Sequence, residues 1–138
     1  MTEGHPPELP PWLAVTATER TPGPGARDAV LPAAIARTRA DLFAALVDVL
    51  DLPGYVGRNW DALADSLRDL LDAGPLTLLV DDATQLLADE PPGHLGLLLT
   101  LLGDAAADAP HPLRVVLRDA PDRVPVLRRR AVAALPRR

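Results

Sequence analysis

The chain has 138 residues, a formal net charge of −5, no cysteine and no lysine, all fourteen basic residues being arginine. The length fits one domain, and the lack of cysteine excludes a disulfide framework and any thiolate metal site. Residues 1–11 carry no basic n-region and are broken by prolines 6, 7, 10 and 11, so no secretory signal is expected. No apolar run approaches the roughly 18 residues of a membrane span, and a soluble, cytoplasmic protein is the expectation. Arginine-only basic residues with abundant Ala, Pro and Leu suggest a GC-rich bacterial genome.

The charge is uneven. Residues 28–118 hold fourteen acids against six arginines, whereas residues 119–138 hold two aspartates against six arginines. An acidic centre argues for a basic partner and against general nucleic-acid binding. Three parts follow: a Pro/Gly-rich N-terminal extension over 1–27, a domain over 28–118, and an Arg-rich C-terminal extension over 119–138.

In the first part, residues 12–16 suit a short strand, and Thr21-Pro22-Gly23-Pro24-Gly25 reads as loop. Both a loosely packed extension and a disordered leader fit that composition. Ala29-Val30-Leu31 before Pro32 reads as a buried parallel strand. Thr38-x-x-Asp41 is a variant capping box, and Leu42, Phe43, Leu46, Val49 and Leu50 give the first helix its apolar face.

Pro53, Gly54 and Gly57 then punctuate a tight loop that feeds a second helix over 59–72. Asn59 is the N-cap, its side chain placed to accept from a free first-turn amide. Leu63, Leu67, Leu70 and Leu71 share one face, with Trp60 on its edge and expected to pack inward. Asp61, Asp65, Arg68, Asp69 and Asp72 span only about a quarter of the circumference on the opposite side. Gly74-Pro75 stops the helix.

Residues 76–80 read as a strand buried on both faces, closed by Asp81-Asp82. A short third helix is expected over 84–88. A fourth over 94–109 turns Leu95, Leu98, Leu99, Leu101 and Leu102 inward, with Asp104 and Asp108 near its end. Acids there oppose the helix dipole, a small cost with no local compensation. Residues 113–117 form the third strand. Strands separated by helices imply right-handed parallel crossovers, hence an α/β fold with a small three-stranded parallel sheet. Residues 124–135 are compatible with a helix bearing Arg128, Arg129 and Arg130, and equally with a solvated basic tail. No aromatic interleaves those arginines, so no nucleic-acid contact is expected.

Catalytic chemistry finds little support. Ser66 is the only serine, and it lies inside the second helix, where small-residue packing is the expected role. His5, His94 and His111 are isolated and lack metal-ligand spacing. Gly54-x-x-Gly57 lacks the Lys-Ser/Thr of a phosphate loop. Asp81-Asp82 stands at a strand end where some α/β enzymes hold magnesium, without a visible third ligand. No enzyme activity, cofactor or metal is expected.

The stretch from Leu52 to Leu67 resembles the barstar family of intracellular inhibitors of secreted bacterial ribonucleases. The family pattern Leu-Pro-x-Tyr-Tyr-Gly-x-Asn-x-Asp-Ala-Leu-x-Asp-x-Leu fits with one departure, Val56 in place of the second Tyr; at two of its open positions Ala64 stands where the inhibitor has a Trp and Trp60 where it has a Leu. Weaker similarity covers roughly 28–119. The resemblance implies the barstar fold and a protein that binds a basic ribonuclease made by the same cell, as an immunity protein. A helix with ordered carboxylates would block the cationic active site as a phosphate mimic. By resemblance the partner-binding residues are Tyr55, Gly57, Asn59, Asp61 and Asp65, with Asp104 matching an acidic region of the last helix. Asp65 is the first choice for the inserted carboxylate. Tyr55 suits either stacking at a base site or a core position with a wet hydroxyl. A monomer is expected when free. A plain solvated acidic face, and a barstar-like module regulating a partner other than a ribonuclease, remain the competing readings.

Overall fold

A computed structural model describes residues 9–17, 27–53 and 57–136. In order they form β1 (Leu13–Thr16), β2 (Arg27–Pro32), a 3-10 turn (Ala33–Ile35), α1 (Arg39–Val49), α2 (Trp60–Ala73) and β3 (Leu76–Asp81). A second 3-10 turn (Ala83–Gln85), α3 (Gly93–Asp108), β4 (Leu113–Arg118) and α4 (Val124–Ala134) follow.

The α/β class holds, but the sheet has four strands where three were expected, in the order β1-β4-β3-β2. All pairings are parallel, with Leu13 opposite Val115, Leu78 opposite Val115 on the other side, and Ala29 opposite Leu78. The added strand is β1, from the segment assigned to the extension. Leu13 and Val15 alternate inward and are buried, and their strand covers the outer edge of β4, whose amides and carbonyls would otherwise face water. The strand expected to be buried at 29–31 is buried on one face only. Ala29 and Leu31 are buried, while Val30, on the opposite face of the strand, is 47% exposed.

One face of the sheet carries the core. Leu13 and Val15, Ala29 and Leu31, Leu76, Leu78 and Val80, and Leu113, Val115 and Leu117 pack there against the buried leucines of the helices. Each fully buried leucine contributes about 1.5–3 kcal/mol. Helix α1 starts where expected, Thr38 Oγ1 accepting from the Asp41 amide at 3.2 Å. Its end is held by Arg27, which donates to the Leu50 carbonyl at 3.0 Å.

The expected helix at 84–88 is instead the turn Ala83–Gln85. Asp82 enters it at φ 53° and Leu87 follows at φ 54°, and a left-handed residue on each side stops helix propagation. The Thr84 amide donates to the buried Asp119 carboxylate at 3.0 Å, and the Leu87 amide to the Ala36 carbonyl at 2.9 Å. Arg37 clamps the same loop through a bidentate pair with Asp89. Hydrogen bonding from Arg37 holds the Asp89 carboxyl below its ordinary range.

Helix α4 lies on the core, burying Leu127 and Ala131. Arg130 donates to the carbonyls of Thr84 and Leu86, and Arg128 to that of Val15, so two of the three consecutive arginines bind backbone carbonyls. Trp12 lies against α3 at Gly103, where an added Cβ would come within 3.1 Å of the indole. A side chain at this position would have to shift the indole by a few tenths of an ångström.

A candidate inhibitory surface on α2 and α3

The sequence of α2 separates its two faces, and the structure follows it. Leu63, Ser66, Leu67 and Leu71 are buried, while Asp61, Asp65, Arg68, Asp69 and Asp72 are exposed. Ser66 packs as a small residue. Trp60 is half-buried and meets Phe43 edge-on, with ring centroids 5.0 Å apart. That anchors the first turn to α1.

Asn59 caps the helix, its Oδ1 accepting from the Ala62 amide at 2.8 Å. Gly57 sits tight against this cap. A Cβ there would come within 3.0 Å of Asn59 Nδ2 and 3.4 Å of the Ala62 methyl, so a side chain would push the capping amide aside. Asp61 lies in the first turn, where its charge complements the amide end of the helix dipole. The far end is held by His111, whose Nδ1 donates to the Leu71 carbonyl at 2.8 Å, which gives a histidine read as isolated a structural role.

The candidate residues then take distinct places. Gly57, Asn59 and Asp61 are contiguous and exposed at the N-terminus of α2. Tyr55 lies outside the described residues. Asp65 is one turn on, its side chain 76% exposed and 2.9 Å from the Arg68 guanidinium. Asp104 projects from α3, and packing of α3 against α2 brings it to the same groove as Asp61. That groove has a volume of about 270 Å³ and is lined by Trp60, Ala64, Arg68, Leu97 and Leu101 among others. Asp65 and Asp108 are not among its lining residues. Neither Asp61 nor Asp104 has an ion pair among the described residues.

The sequence reading missed the groove. Leu101, expected inward, is half-buried against the core and also lines the groove, and the sequence carries no expectation for Leu97. The signal was present: Leu97 and Leu101 are spaced i, i+4, off the stripe of Leu95, Leu98, Leu99 and Leu102. Asp81, weighed as a magnesium ligand, is instead paired with Arg118 across the ends of β3 and β4.

This fold and this acidic helix coincide with a family match. The model of the family described as Barstar (barnase inhibitor) matches residues 27–118. The chain belongs to the barstar family. A comparison with curated proteins finds none that matches. The barstar-family match begins at the first residue of β2 and ends at the last of β4, so β1 and α4 lie outside it while contributing to the same core. Among the described residues, no helix is long and apolar enough to cross a membrane.

Proposed function

We propose that this barstar-family protein inhibits a basic bacterial ribonuclease by covering its active site with the surface built from Gly57, Asn59, Asp61 and Asp65 of the α2 end and Asp104 of α3. By resemblance to the family pattern Tyr55, outside the described residues, is a further partner-binding residue. The observation that carries the reading is the exposed carboxylate face of α2, held on a capped and well-anchored helix in a barstar-family chain. A ribonuclease cleft gathers cationic side chains to hold phosphate, and carboxylates carried on a preformed helix meet such groups without the cost of ordering the backbone.

The role is stoichiometric binding, with no catalysis and no cofactor. The inhibitor acts as a monomer in the cytoplasm, as an immunity protein for a nuclease made by the same cell. The Arg68 guanidinium beside Asp65 is exposed, so the incoming nuclease cations displace a pair of small net worth. Titrating barnase with the purified chain while following RNA cleavage tests the proposal. Activity should fall linearly to zero at one equivalent. Full activity at a large excess, with the chain shown folded, would leave only the reading of a module for another partner.

A further inference from the structure

Beneath the acidic rim, the groove between α2 and α3 has an apolar floor. Trp60, Ala64, Leu97, Leu101 and Ala105 line it, and Leu97 is 52% exposed there. The small side chains of Ala64 and Ala105 leave the space open. Small-molecule pockets run from about 300 to 1,000 Å³, so a groove of about 270 Å³ suits one large side chain better than a cofactor. Its charges are divided. Asp61 and Asp104 stand on the two helices as carboxylates without ion pairs among the described residues, and Arg68 lines the groove while held by Asp65.

We propose that this groove is an anchor pocket for one aromatic side chain of the partner, presented between basic residues. The inhibitor reading supplies only the partner's identity. A guanidinium inserted into the groove would meet Arg68 as a like charge, whereas an aromatic ring meets it by cation–π attraction and buries against Leu97 and Leu101. Basic residues flanking the ring then reach Asp61 on one side and Asp104 on the other. Aromatic anchors in desolvated pockets are where binding energy concentrates at protein interfaces.

The test titrates the isotope-labelled full chain with the peptides acetyl-Arg-Trp-Arg-amide and acetyl-Arg-Ala-Arg-amide, reading amide shifts by NMR. The tryptophan peptide should shift Ala64, Arg68, Leu97 and Leu101 with millimolar affinity, at least about five-fold tighter than the alanine peptide. Ala64→Trp, which fills the groove, and Leu97→Arg, at an exposed position, should each weaken it about ten-fold, with circular dichroism confirming the fold. Equal affinity for the two peptides, shifts outside the groove, or unchanged binding by both folded variants would overturn the pocket. Barnase inhibition is measured on the same samples. Inhibition without groove shifts overturns the pocket and leaves the inhibitor reading standing. Groove binding of the tryptophan peptide without inhibition keeps the pocket and removes barnase as its partner.

Discussion

Asp65→Ala should weaken ribonuclease binding far more than Asp69→Ala, while neither variant loses much stability. Both carboxylates are exposed on the same face of α2, one turn apart, so a diffuse field would treat them nearly alike. In the free protein Asp65 makes one pair with Arg68 at 2.9 Å, both side chains mostly in water. Such an i, i+3 pair is worth about 0.2–0.5 kcal/mol, and alanine's better helix propensity offsets much of its loss. A carboxylate inserted among nuclease cations is different. Truncating one partner of a buried charge pair costs about 2–5 kcal/mol and appears mainly in the off-rate. At about 1.4 kcal/mol per decade that is roughly a thirty-fold to few-thousand-fold loss of affinity. This range was itself defined partly on complexes of this family; the contrast with Asp69 is what the geometry adds. Asp69, further from the capped end, should change only the on-rate, by a modest factor that salt removes. Stopped-flow association and dissociation at low and moderate salt decide it, with urea titrations for stability. Equal effects on both variants, confined to the on-rate and abolished by salt, would refute an inserted Asp65.

Asn59→Ala removes the acceptor for the Ala62 amide and should cost about 0.5–2 kcal/mol in urea unfolding. Inhibition should weaken with it as the first turn of α2 loosens. Asp119→Ala should cost about 2–3 kcal/mol, since the buried carboxylate accepts from the Thr84 amide and hydroxyl and from the Ala120 amide. Burial acts to raise its pKa, but these hydrogen bonds and Arg123 outweigh it and hold the carboxyl below its ordinary value. Its stabilisation is therefore complete above the unfolded value of about 3.9 and is lost as pH falls through the lower folded value. Unfolding free energy of the variant should accordingly depend less on pH on that acid side. Arg130→Ala frees the Thr84 and Leu86 carbonyls and should lower stability by about 1–3 kcal/mol without changing inhibition, measured by thermal melts beside the nuclease titration.

Much of the centre of the chain was legible because local signals agreed there. Asn59, the Leu63, Leu67 and Leu71 stripe and the Gly74-Pro75 stop all pointed to one helix in one orientation, and the structure has it. What failed depended on contacts distant in sequence. Residues 12–16 suit a short strand, but that it joins the sheet as a fourth strand depends on the open edge of β4, about 100 positions away. The turn at Ala83–Gln85 is set by Asp119, 35 positions from Thr84. The arginines of α4 look like solvent-facing charge until the carbonyls they bind come into view. Of the candidate site, the exposed placement of Asp61 and Asp65 on one helical face was readable from their spacing. That Asp104 meets Asp61 across a groove depends on how α3 crosses α2, which no local pattern encodes.

The most direct measurement is an NMR map of the complex: labelled chain bound one to one to unlabelled, catalytically inactive barnase, read by cross-saturation. The account predicts that saturation transfers to Gly57, Asn59, Asp61, Ala64, Asp65 and Asp104, and that Arg129 and the rest of the exposed side of α4 are untouched. Transfer centred on α4, or on the β2 edge at Val30, with α2 unaffected, would contradict it.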